Sequence, residues 1–161
     1  MLKYAYLYKE KIQKLLTMNV VTDRCKYYQL GGYVRFETEI DDNNYYKDQY
    51  VSIDANNNIM GYLCAYIDRP INNVSQIAAM SFPDWNNCNK SIWIEDKHEF
   101  FRLMLEKHNK IKFSTLVGSN GEKMWDALVE KMNGRIVGIF KNDEMNTEGK
   151  IFDQKWYEIL K

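Results

Sequence analysis

The sequence predicts an α/β (α+β) domain with a mixed, mostly antiparallel sheet of about seven strands flanked by helices. Residues 111–138 read as a buried strand, a tight polar turn, an amphipathic helix, a glycine stop and a further strand. Residues 49–82 alternate apolar runs with Asn-rich turns, the pattern of an antiparallel meander. The chain has 161 residues without an internal repeat or a low-complexity linker, so residues 1–161 are expected to form one domain with a sizeable core.

Residues 1–18 read as a helix. Ala5, Tyr8, Ile12, Leu15 and Leu16 share one face, and Lys9, Glu10, Lys11, Gln13 and Lys14 the other. A core-docking helix with a solvated basic side is the expectation. Residues 27–30 suggest a short strand broken by Gly31-Gly32, and residues 33–40 alternate as a half-exposed strand does. Residues 41–47 are a polar loop whose adjacent carboxylates lack the alternate spacing of a calcium site. Strands follow at 49–53 and 59–67, joined by an Asn cluster that tolerates positive φ. A third strand spans 74–82, ending in small residues.

Residues 83–91 form a polar loop, and a second major helix is expected over 93–109. Phe100, Phe101, Met104, Leu105 and His108 would lie along its buried side, with Glu95, Asp96 and Lys97 in its first turns. His108 then has a structural role at the helix C-terminus. After the strand at 111–117 and the turn at 118–121 comes a third helix over 122–132, stopped by Asn133-Gly134. The strands at 135–141 and 151–159 close the chain as a long hairpin.

Lys and Arg total 22 and so do Asp and Glu, which argues against general affinity for nucleic acid. No apolar run approaches the roughly 20 residues that cross a bilayer. The N-terminal stretch carries charges throughout and lacks the apolar core of a signal peptide. Cys25, Cys64 and Cys88 are far apart, with only His98 and His108 to assist a metal site, so no metal is expected. Unpaired thiols fit a reducing, cytoplasmic compartment. Cys64 reads as an inert buried thiol, and Gly31-Gly32 is too short for a phosphate loop.

The order of elements resembles that of the GNAT superfamily of acyl-CoA-dependent N-acyltransferases. The stretch QYVSIDANNNIMGYLCAYID looks like that family's second and third strands, and VSQIAAMSFPD like its fourth. STLVGSNGEKMWDALVEKMNGRIVG looks like its fifth strand, Asn-containing turn, fourth helix and sixth strand. The GSNGEKMWD and NGRIVG segments are also similar to small GNAT-like proteins of Firmicutes and their phages. The resemblance implies acetyl or other acyl transfer from acyl-CoA to an amine, with a small molecule or a protein as acceptor. It implies that Met80, Ser81 and Phe82 wall the pantetheine arm, and that Lys90 and Ser91, before the next helix, meet the pyrophosphate. It also implies that Asn120 and Trp125 lie beside the cofactor. Asn120 reads equally as a turn residue before Gly121, and Trp125 reads as core between Met124 and Leu128. A homodimer through the terminal strands is a further implication.

Two departures from the family pattern stand in the sequence. The run PDWNNCNKSIWIEDKHEF has no glycine, where the family has Gln/Arg-x-x-Gly-x-Gly/Ala, and Cβ atoms hinder backbone approach to a phosphate. Trp125 or Val129 stands where many members carry a tyrosine general acid, and neither supplies a proton. The catalytic residues are therefore unassigned from sequence. The competing expectation is a catalytically inactive binding protein of the same fold, phage-encoded and acting on a host protein, with Tyr45, Tyr46 and Trp85 as contacts. A gap filled by Trp85 or Trp93 would favour that alternative. A role in tRNA or nucleotide modification is disfavoured by the neutral charge.

Overall fold

The computed structural model describes residues 1–21, 39–42, 44–82, 90–119, 121–146 and 149–161, with the side chains of 18–21 excepted. Seven strands form one sheet in the order β1-β2-β3-β4-β5-β7-β6. They are β1 Leu2–Tyr4, β2 Lys47–Ile53, β3 Ile59–Asp68, β4 Asn73–Ser81, β5 Lys110–Leu116, β6 Arg135–Met145 and β7 Ile151–Leu160. Among the described residues three α-helices accompany them: α1 Lys9–Val21, α2 Lys90–Lys107 and α3 Glu122–Lys131. Every strand contact is antiparallel except β4 with β5. The fold class is the one the sequence predicts.

The N-terminal stretch corrects the expected helix over residues 1–18. Leu2, Lys3 and Tyr4 pair with Ser52, Val51 and Tyr50 at the sheet edge. A 3-10 turn at Ala5–Tyr8 then leads into α1 at Lys9. An unpaired edge of β2 offers backbone partners that local helical propensity does not. The apolar stripe still holds, because Ala5, Ile12 and Leu16 are buried and Tyr8 and Leu15 pack beside them. The strands expected within residues 27–40 lie outside the described residues, apart from Glu39 and Ile40, which belong to no strand.

The sheet separates two apolar layers. Ala5, Ile12 and Leu16 lie against Val51, Ile53, Ile59, Tyr62, Cys64 and Phe82 on one face. Helices α2 and α3 cover the other with Trp93, Phe100, Phe101, Met104, Leu128 and Val129, over Leu63, Ala65, Ile111, Phe113 and Tyr157. The expected meander is present. Its first turn is tied by Asp54, whose carboxylate accepts the N–H groups of Asn56 and Asn58, each at 2.8 Å, while Asn57 takes φ +61°. These bonds favour the ionised form and hold the Asp54 carboxyl below its ordinary range.

Helix α2 starts at Lys90, three residues before the expected position, so Lys90 and Ser91 lie in its first turn and not in a loop. Asp96 and Lys97 are correspondingly deeper in the helix than expected, and both are buried. Asp96 accepts Ser52 Oγ and the Met1 amino group, each at 2.6 Å. His108 follows the helix and meets Asn72 Oδ1 through Nδ1 at 2.8 Å. Burial lowers its proton affinity, so its role is structural without the cation suggested by the helix end.

Candidate active site

The site begins where the sheet comes apart. Strand β4 pairs with β3 from Asn73 to Ser81, and β5 pairs with β7 from Lys110 to Leu116. Between β4 and β5, only Asn73 with Lys110 and Val74 with Ile111 are in register. Beyond them the strands diverge, and the β5-facing edge of β4 from Ile77 to Met80 enters no ladder among the described residues.

Gln76 stands at the point of divergence and bridges it with its side chain. Its Nε2 donates to Ser114 Oγ at 3.1 Å. Its Oε1 accepts the N–H groups of Ser114 at 3.2 Å and Ile77 at 3.1 Å. A primary amide offers donor and acceptor together, so it replaces the next rung of the ladder across a wider gap. Sequence reasoning missed this residue, since a Gln in a half-exposed strand gives no local signal of such a bridge. Past it, Ala78, Ala79, Met80 and Ser81 are half-buried.

On the helix side of the divergence lies an aromatic cluster. The six-membered ring of Trp93 rests on Gly61, where an added Cβ would come within 2.4 Å of the ring and 2.6 Å of the Met80 carbonyl. Gly61 is in register with Ser81, so Trp93 sits at the level of the C-terminal end of β4, over β3. Trp125 reaches in from α3 against Phe113 and Phe101, at centroid distances of 5.2 and 5.9 Å. Its expected packing role is present, and Val129 is buried one turn on.

Lys97 lies between the two indoles at 1% exposure. Its Nζ is 5.0 Å from the Trp93 ring centroid and 5.3 Å from that of Trp125, and it donates to Met124 Sδ. Burial alone pulls its ammonium down to about 8. The missed signal is periodicity: Trp93, Lys97, Phe100, Phe101 and Met104 fall on one stripe at i, i+4, i+7, i+8 and i+11. On the β7 side, Tyr157 donates to Asp126 Oδ1 at 2.8 Å, and Lys155 pairs with Glu122 at 2.5 Å and Asp126 at 3.1 Å. Burial and Asp126 hold the Tyr157 phenol far above its ordinary range.

The sequence-derived site residues distribute as follows. Met80, Ser81 and Phe82 end β4 at the divergence, with Phe82 buried on the α1 face. Lys90 and Ser91 are exposed in the first turn of α2. Trp125 is on the helix side, and Asn120 lies outside the described residues. Cys64 is buried in β3, where its surroundings push the thiol up to about 11, in keeping with an inert role. Cys25, Cys88 and Trp85 lie outside the described residues. No described helix is long and apolar enough to cross a membrane.

No protein-family model and no curated protein matches the chain. Solved structures do. The ribosomal L7/L12 alpha-N-protein acetyltransferase RimL, in complex with coenzyme A, superposes with a TM-score of 0.75 and 14% identity, covering 99% of this chain and 92% of that one. The microcin C7 self-immunity acetyltransferase MccE, bound to acetyl-CoA and AMP, gives 0.70 and 16%, covering 99% and 91%. The Vibrio cholerae spermidine N-acetyltransferase with CoA and spermine gives 0.66 and 14%, covering 99% and 94%. This chain has the GNAT fold that these acetyltransferases share.

Proposed function

We propose that this protein is an N-acyltransferase that moves an acyl group, acetyl in the simplest case, from acyl-CoA to an amine. The observation that carries the reading is the divergence of β4 and β5, which leaves the Ile77–Met80 edge of a central strand without a ladder partner on the β5 side among the described residues. An extended, amide-bearing pantetheine arm fits such an edge as an added strand does. Among the described residues, Trp93 packs on Gly61 of β3, which supports a gap that this indole does not fill.

In this reading Met80, Ser81 and Phe82 form the wall, and Asn120 and Trp125 border the arm from the β5–α3 side. Lys90 and Ser91 meet the pyrophosphate at the positive end of the α2 dipole. Lys90 supplies charge there, in place of the close backbone approach that a glycine-rich loop allows. The acceptor amine attacks the thioester carbonyl directly, and juxtaposition supplies most of the rate. Calorimetric titration with acetyl-CoA and with CoA tests the proposal. Saturable binding supports it, and no heat at millimolar ligand overturns it.

The proposal extends to a homodimer in a reducing cytoplasm. Strand β6 is the sheet's outer edge, and Ile136, Val137, Ile139 and Phe140 on it are each about half exposed. Paired antiparallel with its own copy, β6 would set its basic start at Arg135 against its acidic end at Asp143 and Glu144.

A further inference from the structure

Lys97 is buried, yet among the described residues its ammonium forms no ion pair and no hydrogen bond to oxygen. Its surroundings are the Trp93 and Trp125 rings and the Met124 thioether, a weak acceptor. A cation placed there gains from the ring faces but loses its hydration. The two indoles also fix where it is. Trp93 rests on Gly61, which is in register with Ser81 of β4, and Trp125 packs on Phe113 of β5. The ammonium therefore lies buried on the helix side of the sheet, between the ring that covers Gly61 and the ring that packs on Phe113.

Attack of an amine on a thioester expels a thiolate, and a proton donor matched to that thiolate eases its departure. Among the described residues, the other buried acids do not meet this need: Tyr50 is held by Lys107 and raised by burial. Tyr157 is committed to Asp126 and strongly raised. Tyr62 and Cys64 lie in the apolar layer on the α1 side, both with raised values. We propose that Lys97 gives its proton to the thiolate that leaves acyl-CoA, an inference that rests on the acyl-transfer reading. The N–C bond forms as the C–S bond breaks, and sulfur takes a proton from Nζ. The proton released by the acceptor amine returns to Lys97 through solvent. Acyl-CoA and amine thus become amide and CoA thiol with no further reactant.

An ammonium near 8 matches a thiol of ordinary value near 8.5. The groups that face Nζ are Trp93 on α2 and Met124 and Trp125 on α3, none of which titrates in this range. Beside it on α2, His98 has its proton affinity lowered by burial, with contributions from Lys131, Lys97 and Arg102.

The test uses CoA itself and needs no acceptor. Wild type, Lys97→Met and Lys97→Gln are saturated with CoA, and the ultraviolet band of the thiolate is followed over roughly pH 6 to 11. In the wild type the bound thiol is expected to lose its proton at least about tenfold more readily than in either variant, because thiolate and ammonium share one proton. CoA affinity at neutral pH is expected to stay within a few-fold. Superimposable titrations in all three proteins overturn the proposal while leaving acyl transfer standing. A wild type that binds no CoA overturns both. A merely structural lysine would not move the thiol titration, and two variants guard against one that fails to fold.

Discussion

Lys97 carries a cost that can be measured apart from any ligand. Its folded value near 8 lies below the ordinary 10.5, so between these limits the unfolded chain holds a proton that the folded chain has released. Stability should therefore rise with pH from about 8 to about 10.5, and the full penalty, ~3 kcal/mol, should be present below 8. Lys97→Met fills the same slot without charge. It should raise the melting temperature at pH 7 and flatten the alkaline rise, which calorimetric scans across pH would show. Unchanged stability would mean that the cation is better solvated than its 1% exposure implies. The same residue would then combine a gain for the reaction with a loss for the fold.

At the scale of elements, Gly61 and Gln76 set the shape of the divergence from its two sides. Gly61→Ala would put Cβ against both the Trp93 ring and the Met80 carbonyl, and backbone cannot rotate away as a side chain does. A loss of about 2 kcal/mol in urea unfolding is expected. Gln76→Leu removes the amide that spans β4 and β5 and should cost about 2 kcal/mol. A cost near zero would show that the bridge is replaceable by water. These elements also show what was legible in sequence. The helix stop at Asn133 and Gly134 was readable, because a left-handed residue and a close approach to Ile159 leave a local signature. The meander was readable for the same reason. The start of β1 was not, because it depends on an edge supplied by residues 50–52. Gln76 was not, since its role depends on a strand distant in sequence, and for Lys97 the helical stripe marks only its burial, its indole partner Trp125 coming from a distant helix. The fold was thus more legible than the site.

The whole molecule presents one long apolar margin. Among the described residues β6 pairs with β7 alone, and Ile139 and Phe140 lie about half exposed in its middle. Light scattering is expected to return twice the 19.2 kDa chain mass for the wild type and the single mass for Ile139→Lys. A monomeric wild type would sink the dimer without touching the acyl-transfer reading. The parting of β4 from β5 has a separate consequence, for the order of folding. It divides the sheet into a half drawn from β1 to β4 and a half drawn wholly from Lys110 to Leu160; among the described strand residues, two register pairs and the Gln76 amide join them. The second half is local in sequence and closes short loops, so it is the natural place for structure to start. Hydrogen exchange should then resolve two cooperative blocks, with the seam at Gln76 the last part to be sewn and the first to open.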